Sequence, residues 1–175
     1  AGTIAIPTTK FFGYSGTTTL KGGTLYLSTV DAAKKGIGSS SKLILAGGTL
    51  KTKGETSNYE TYTFPMEVEE GTYSVFAPNR NCYIRNKISG AGTLEFDIPY
   101  VREYFDADLS NFTGKIVAWG KSSESGGSLF LSEKNMNMAK TRLELKGNTH
   151  VCMWPTNGVG SIGGLSGDAG TYLMA

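Results

Sequence analysis

Short stretches in which every second residue is apolar recur along the whole chain. The segments Leu-Ile-Leu at 43–45 and Leu-Tyr-Leu at 25–27 both place leucines two positions apart. Side chains two positions apart lie on the same face of a strand, so this spacing predicts strands that bury one face. Residues typical of turns bound each stretch, and the pattern predicts strands at residues 18–20, 24–28, 42–45, 49–52, 60–64, 66–69, 73–76, 82–88, 93–97, 114–119, 128–131, 142–145, 150–154 and 171–174.

Five glycine-containing segments of similar shape make the chain internally repetitive. They are Gly-Gly-Thr-Leu-Tyr-Leu at 22–27, Gly-Gly-Thr-Leu-Lys-Thr at 47–52, Gly-Ala-Gly-Thr-Leu-Glu-Phe at 90–96, Gly-Gly-Ser-Leu-Phe-Leu at 126–131 and Gly-Asp-Ala-Gly-Thr-Tyr-Leu at 167–173. Glycine suits a tight turn or a positive φ, and the alternating residues behind it suit a strand with one buried face. One such unit cannot bury its apolar face alone, so we expect the copies to stack.

The spacing of the repeats predicts the architecture. The glycines at 23, 48, 92, 127 and 170 lie 25, 44, 35 and 43 residues apart, so the longer gaps hold two coils each and one coil takes about 20 to 25 residues. A sandwich would show hairpin signals about every 8 to 12 residues, whereas the only strong hairpin dipeptide here is Asn157-Gly158. The sequence therefore predicts one all-β domain over residues 1–175, a right-handed parallel β-helix of about seven coils.

Two segments have a weak helical character. Residues 29–35 can form about one helical turn, and residues 132–140 begin with a serine cap and an acidic first turn. Both follow a repeat strand, so we expect two loops at the same place in the repeat, with Met136, Met138 and Ala139 covering the core.

Composition and charge narrow the functional classes. Glycine makes up 24 of the 175 residues, about twice the average share of roughly 7 %, without a Gly-X-Y period. The 17 basic and 15 acidic residues give a formal charge of +2 without a basic cluster, so no nucleic-acid partner is expected. No apolar run approaches the roughly 18 to 20 residues of a transmembrane helix. Cys82 and Cys152 lack the nearby ligands of a zinc site, and they are either two buried thiols or, if stacking brings them together, a disulfide.

Several longer segments together resemble a known repeat family. They are Leu-Ile-Leu-Ala-Gly-Gly-Thr-Leu at 43–50, Ile-Ser-Gly-Ala-Gly-Thr-Leu at 88–94, Leu-Ser-Asn-Phe-Thr-Gly-Lys-Ile at 109–116 and Ser-Ile-Gly-Gly-Leu-Ser-Gly at 161–167. The set resembles the passenger-associated repeats of autotransporter-type β-helix proteins, and the likeness covers most of the chain from residue 22 to residue 173. Such repeats occur in large secreted and outer-surface proteins of Gram-negative bacteria, including gut Bacteroidetes.

The resemblance implies a β-helical stalk or display surface outside the cell, and it brings no catalytic residues with it. An uncapped β-helix exposes unpaired backbone groups at its ends, so we expect the chain to be a module of a longer surface protein. The rest of that protein is then one partner. Open coil ends also predict end-to-end association of copies.

One charged and aromatic segment is the candidate site. The segment at 97–110, Asp-Ile-Pro-Tyr-Val-Arg-Glu-Tyr-Phe-Asp-Ala-Asp-Leu-Ser, is predicted to be a loop that leaves the helix body. Aromatic rings beside carboxylates and an arginine suit sugars, because an apolar sugar face covers a ring while its hydroxyls bond to charged groups. The candidate ligand-binding residues are Tyr100, Arg102, Tyr104, Asp106, Asp108 and Trp119. In the structural alternative, the arginine pairs with an aspartate, the tyrosines lie over the β-helix wall and Asp108 caps the turn before Ser110.

Three functions follow from these features. The first is a non-catalytic secreted or cell-surface module that serves as a scaffold or adhesin part. The second is a carbohydrate-binding module whose partner is a polysaccharide or a host glycan. The third is part of a polysaccharide lyase or glycosidase, which would need paired carboxylates about 5 to 9 Å apart. No catalytic residue, metal or cofactor is predicted, since the only histidine, His150, lies in a strand-like run without a partner at a telling spacing.

Overall fold

The chain folds into a parallel β-helix, a coil of strands that returns repeatedly to the same three faces. This computed structural model describes residues 2–6, 16–27, 42–52, 60–78, 82–98, 103–120, 127–132, 137–154 and 161–174. All regular secondary structure in these ranges is strand, and the strand pairs in them are parallel. The predicted fold class is therefore confirmed.

The strands are short, as the alternating pattern predicted. They are β1 (Thr3–Ile6), β2 (Thr18–Leu20), β3 (Thr24–Leu27), β4 (Leu43–Leu45), β5 (Thr49–Thr52), β6 (Glu60–Tyr62), β7 (Met66–Val68), β8 (Tyr73–Ala77), β9 (Cys82–Ile84), β10 (Lys87–Gly90), β11 (Thr93–Asp97), β12 (Glu103–Phe105), β13 (Asp108–Phe112), β14 (Lys115–Trp119), β15 (Ser128–Ser132), β16 (Asn137–Lys146), β17 (His150–Trp154), β18 (Ser161–Gly167) and β19 (Tyr172–Met174).

Three sheets form the faces of the coil. Sheet A holds eight strands in the order β1-β3-β5-β8-β11-β14-β16-β18. Sheet B holds five strands, β13-β10-β7-β4-β2, and sheet C holds six, β19-β17-β15-β12-β9-β6. From β5 to β13 the chain visits sheets A, C and B in turn, so each turn adds one strand to every sheet.

The number of turns is smaller than the seven coils predicted. The described strands make about five turns, which is the number of strands in sheet B. The prediction was too high because the coils at the two ends contribute to only one or two sheets within the described residues. In addition, the long strand β16 serves two faces. Its first part lies beside β13, where the Thr141 hydroxyl donates to the Phe112 carbonyl at 3.2 Å, and its second part pairs with β14 in sheet A.

Inward side chains form rows that run along the coil axis. One row in sheet A follows six successive strands and is buried throughout: Leu25, Leu50, Phe76, Phe96, Ala118 and Leu145. The Phe96 ring lies 5.7 Å from the Phe76 ring and 4.9 Å from the Phe105 ring between centroids. The buried Tyr62 hydroxyl shares a hydrogen bond of 2.6 Å with the Thr52 hydroxyl. The core is thus continuous from turn to turn and keeps this phenol satisfied.

Gly90 and Gly92 show why the repeat segment at 88–94 requires glycine at two positions. Gly90 has a φ of 99°, and a Cβ there would meet the Val68 carbonyl oxygen of the preceding turn. A Cβ at Gly92 would meet the carbonyl oxygen of Glu69. Glycine is required by backbone conformation at the first position and by close stacking of turns at the second. The predicted positive φ is confirmed at Gly90, whereas the close stacking at Gly92 was not predicted.

The predicted loop at 97–110 is wrong for the described residues of that segment, 97–98 and 103–110, which belong to the helix body. Asp97 ends β11, and the described part of the segment continues through β12 and β13 in sheets C and B. Phe105, Ala107 and Leu109 are buried in the core, so residues 103–110 form part of the coil wall. The prediction failed because charged residues at the outward positions obscure the alternation of the buried ones.

The expected loop at 132–140 is also corrected in part. Ser132 ends β15 and residues 137–140 belong to β16. Met138 is buried in the core as predicted, whereas Ala139 is exposed, because neighbouring residues of a strand point to opposite faces. The segment at 29–35 and Met136 lie outside the described residues.

The two cysteines do not form a disulfide with each other. Cys82 lies on β9 and Cys152 on β17, and β12 and β15 separate these strands in sheet C. Cys82 is buried in the core, whereas Cys152 is half-buried at a register position that Phe130 shares on β15. Burial raises the pKa of the Cys152 thiol. Of the two alternatives, separate thiols are therefore confirmed.

The last strands of sheets A and C expose apolar side chains: Leu165, Tyr172, Leu173 and Met174. End-to-end association of copies stays a prediction. Within the described ranges there is no helix that is long and apolar enough to cross a membrane.

Candidate functional site on the outer faces of the coil

The four described residues of the predicted site do not come together in one place. Tyr104 is the middle residue of β12 in sheet C, and Asp106 follows β12 at the corner toward sheet B. Asp108 begins β13 in sheet B, and Trp119 ends β14 in sheet A. Tyr100 and Arg102 lie outside the described residues. The four described residues therefore lie along three different sides of the coil.

An aromatic row runs along the outer face of sheet C. Tyr83, Tyr104 and Phe130 share one register position on β9, β12 and β15. The Tyr83 and Tyr104 rings stack with 4.8 Å between centroids and 19° between planes, and the Tyr104 and Phe130 centroids are 5.5 Å apart at 31°. Because β12 lies between the other two strands, a neighbouring ring covers each face of Tyr104. A sugar ring has no free face of Tyr104 to cover.

Asp106 is held in an ion pair at the corner between sheets C and B. Nε of Arg85 donates to Oδ2 of Asp106 at 3.0 Å, and the same guanidinium lies 4.9 Å from the centroid of the Tyr83 ring. The pair joins two successive turns of the coil. The structural alternative paired Arg102 with an aspartate, and Arg102 lies outside the described residues. The arginine that the structure shows beside Asp106 is Arg85.

Trp119 lies beneath a lysine on the outer face of sheet A. Nζ of Lys146, its register partner on β16, is 5.4 Å from the centroid of the Trp119 ring. On the same strand, Glu144 contacts Nζ of Lys115 at 2.7 Å and Nζ of Lys146 at 3.3 Å. The hydrogen bond from Lys115, together with the second lysine, lowers the pKa of the Glu144 carboxyl. This group of charges ties β14 to β16.

A buried glutamate also lies on the outward side of sheet A. Glu95 is 2 % exposed, and one of its carboxylate oxygens accepts a hydrogen bond from the Tyr73 hydroxyl. Its other oxygen, Oε1, is buried without a hydrogen-bond partner in the part of the chain that the structure describes. Burial, followed by the bond to Glu95, raises the pKa of the Tyr73 hydroxyl, so this group stays protonated and continues to donate. Val117, the register partner of Glu95 on β14, is also fully buried, so the Glu95 carboxylate is shielded from solvent.

A groove on the outer face of sheet B was missed in the sequence. It is a hollow of about 200 Å³. It runs across four successive strands of sheet B and across the corners that lead into those strands. Its lining includes the ring of Pro65 and the polar side chains of Lys42, Lys87, Ser89, Asp108 and Asn111. A second hollow of about 130 Å³ shares Ser110 with the first and continues to Ala139 and Lys140 of β16. The two hollows form one groove along the coil axis, called the sheet B groove below.

Charged side chains of both signs line the sheet B groove, and Lys140 adds a positive charge in the second hollow. Lys42 makes an ion pair with Glu67 of the neighbouring strand. Oδ1 of Asp108 accepts a hydrogen bond from the Ser110 backbone N–H at 3.0 Å. Hydrogen bonds from the Ser110 side chain and backbone lower the pKa of the Asp108 carboxyl, and the charge of Lys87 acts in the same direction. Lys87 is exposed and makes no ion pair within the described ranges.

Only Asp108 among these groove residues was a sequence candidate. Lys42, Pro65, Lys87 and Asp108 occupy equivalent places on successive turns, at intervals of 23, 22 and 21 residues. That interval equals the length of one coil, so the spacing could have been used to group these four residues from the sequence. Recognising it requires the register between strands of sheet B, and the repeat glycines precede strands of sheets A and C.

His150 and the other potential metal ligands form no centre in the described residues. The His150 ring on β17 lies edge-on to the Tyr172 ring, with 5.1 Å between centroids. Within the ranges given above, no three His, Cys, Asp or Glu side chains are grouped to hold a metal ion. No protein-family model, curated protein or solved structure matches this chain. The fold is consistent with a β-helix repeat protein, and the comparisons add no family to it.

Proposed function

We propose that the chain is a non-catalytic β-helix module that serves as a scaffold or adhesin part on the outer surface of a Gram-negative bacterium. The resemblance of its repeats to passenger-associated repeats supports this cellular setting. The fold supports the mechanical role, because one core and three strand ladders run continuously through the turns. A rod of this kind carries other parts of a surface protein away from the cell.

One observation carries the scaffold proposal: many outward side chains connect one turn to another. The ion pairs Lys42–Glu67, Arg85–Asp106 and Lys115–Glu144 join residues that are 25, 21 and 29 positions apart. The aromatic row on sheet C links three turns in the same way. An exposed ion pair is worth only about 0.2 to 1 kcal/mol, but repetition along the axis adds these contributions to those of the core.

The state of the carboxylates supports a non-catalytic role. Glycosidic acid–base chemistry needs one carboxylic acid with a raised pKa beside a second, ionised carboxylate. The pKa values of Asp108 and Glu144 are both lowered by their hydrogen-bond partners, so both are charged at neutral pH. Asp106 is held by Arg85, and Glu95 is covered.

Carbohydrate binding is the second candidate function, and the sheet B groove favours it. The groove presents a carboxylate, an ammonium group, hydroxyls and an amide on one elongated surface. The originally suggested aromatic residues favour it less, since Tyr104 lies between two rings and Lys146 lies over Trp119. This candidate is compatible with the first, because a scaffold can also hold a ligand.

The scaffold proposal is tested on cells. Antibodies raised against the purified chain are applied to intact and to lysed cells of the source bacterium, with a cytoplasmic protein as the control. We expect equal labelling of intact and lysed cells, and loss of the signal when intact cells are treated with protease. Labelling that requires lysis contradicts surface display. Release of reducing ends from a polysaccharide, abolished by Asp108→Asn, would contradict the non-catalytic assignment.

A further inference from the structure

The coil has a free strand edge in sheet A at each of its two ends. Sheet A begins with β1 and ends with β18, and within the described residues no strand lies beyond either of them. Residues 2–5 and 165–167 are exposed at these two edges. A free edge offers unpaired backbone N–H and C=O groups to any further strand. Both ends are therefore able to extend the sheet A ladder.

Exposed apolar side chains are concentrated at the same two ends. Of the six large hydrophobic side chains that are exposed in the described ranges, five lie on the end strands β1, β18 and β19. Ile4 on β1 is 65 % exposed and Leu165 on β18 is 52 % exposed. The other three, all on β19, are Tyr172, Leu173 and Met174. Apolar surface of this kind typically marks an interaction site.

The two ends are the first and last members of the same inward rows. Ile4 is the register partner of the buried Leu25, so it begins the row that continues through the core to Leu145. That row ends at Gly167, the register partner of Leu145. One end of the row thus presents an isoleucine side chain, and the other end lacks a side chain.

The adjacent inward row is complementary in the opposite sense. It ends at Leu165, two residues before Gly167 in β18. At the other end of the coil, Gly2 lies two residues before Ile4, and a Cβ there would meet open space. When β1 of a second copy continues the ladder beyond β18 in the same register, Ile4 lies opposite Gly167 and Gly2 lies opposite Leu165. Each bulky side chain then faces a glycine of the other copy.

A hollow at the β18 end provides space for the isoleucine. It measures about 380 Å³, is called the end hollow below, and is lined by Leu145, Leu165 and Leu173 together with Gly167, Asp168 and Thr171. Oδ2 of Asp168 accepts a hydrogen bond from the Gly147 N–H at 3.1 Å, and the Thr171 hydroxyl donates to the Asp168 carbonyl at 2.7 Å. Since these polar groups have partners within their own copy, an apolar side chain can enter without leaving them unpaired.

We propose that copies of this chain associate head to tail, with β1 of one copy pairing in parallel with β18 of the next and Ile4 entering the end hollow. The strand pairs of sheet A are parallel, so this contact continues the ladder in its existing direction. The contact uses different surfaces on the two copies and does not close, and repetition of it builds a filament. This inference goes beyond the scaffold proposal and does not depend on it.

Sedimentation velocity of the purified 175-residue chain over a hundredfold range of concentration tests the association. We expect the mean mass to rise with concentration through the dimer to larger species. Ile4→Lys and Leu165→Lys should each weaken association at least tenfold, because each places a charge in an apolar contact. Thr113→Lys adds the same charge at an exposed position between β13 and β14 and should associate as the native chain does. Circular dichroism spectra that match the native spectrum verify that the variants are folded.

A mixture of the two end variants tests the polarity of the contact. The Ile4→Lys chain keeps an intact β18 end, and the Leu165→Lys chain keeps an intact β1 end. At concentrations where the native chain associates, each variant alone should stay monomeric. Their mixture should form a one-to-one complex and nothing larger, since the only compatible pair of ends is then used once.

Four outcomes would overturn the proposal. They are a native chain that is monomeric at every concentration, association that neither end variant weakens, a stable dimer of one end variant alone, and a mixture of the two variants that stays monomeric. The third outcome would mean that like ends meet. All four leave the scaffold proposal in place, because that proposal is tested by exposure on intact cells.

Discussion

Tyr83 and Tyr104 stack face to face on the outer side of sheet C, with 4.8 Å between ring centroids and 19° between ring planes. Strand stacking imposes this distance, because the two residues share a register position on adjacent strands. Phe130 extends the stack on the other side of Tyr104. The rings therefore contact each other instead of offering faces to solvent, and they contribute to cohesion between turns.

Removal of the central ring should lower stability. Tyr104→Ala loses two ring contacts and part of the packing over sheet C, and we expect the free energy of unfolding to fall by about 1 to 3 kcal/mol. Urea unfolding followed by circular dichroism measures this change. Tyr172→Ala, at an exposed position on β19 of the same sheet, is the control and should cost clearly less. A Tyr104→Ala chain that keeps its full stability would contradict a structural role for the row.

The inner aromatic cluster should be far more sensitive. Phe96 is fully buried and its ring contacts those of Phe76 and Phe105. Phe96→Ala leaves a large cavity, and we expect a loss of about 3 to 5 kcal/mol in the free energy of unfolding. The outward Thr93→Ala on the same strand should change it by less than about 1 kcal/mol. Equal effects of the two substitutions would mean that β11 does not bury the assigned face.

Gly90 should resist substitution because of its backbone conformation. At a φ of 99° an alanine is strained, and its Cβ would also meet the Val68 carbonyl oxygen. We expect Gly90→Ala to destabilise the fold by about 1 to 3 kcal/mol. Gly22→Ala has open space around the new methyl group and should be nearly neutral. Thermal unfolding of both variants makes the comparison, and a neutral Gly90→Ala would contradict the described turn.

The lysines around Glu144 should make part of the stability depend on pH. Their contacts lower the pKa of Glu144 from its ordinary value of 4.5. A lowered carboxyl pKa stabilises the fold above the unfolded value, and this contribution disappears as the pH falls through the folded value.

Glu144→Gln should therefore cost up to about 1 kcal/mol at pH 7, and the difference from the native chain should be smaller at pH 3. Urea unfolding at both values measures the difference. Glu69→Gln changes an exposed glutamate without an ion pair in the described residues, and it should show no such pH dependence. A cost of Glu144→Gln that is larger at pH 3 would reverse the expected sign.

The sequence was sufficient to predict the β-helix fold but not the arrangement of residues on its outer surface. The fold could be predicted from local patterns, such as the alternating leucines Leu43 and Leu45 and glycines such as Gly90. β12 and β13 were not predicted because the outward residues Tyr104 and Asp108 suggested a ligand site. The inward residues Phe105 and Leu109 indicate ordinary strands. The sheet B groove joins residues from different turns. Its existence depends on register between strands, which no local pattern specifies.

All assignments of residues to faces rest on the register of adjacent turns, and a paired cysteine measurement tests it most directly. Thr24 on β3 and Thr49 on β5 are register partners in sheet A. Partners on adjacent strands have Cα atoms about 4.8 Å apart, within the range of a disulfide. In a chain with Thr24→Cys and Thr49→Cys, mild oxidation should join the two peptides, as detected by mass spectrometry after proteolysis. Lys51 lies two residues farther, at roughly 8 Å, so Thr24→Cys with Lys51→Cys should not join. Joining of the second pair in preference to the first would contradict the register, and with it the outward rows and the groove.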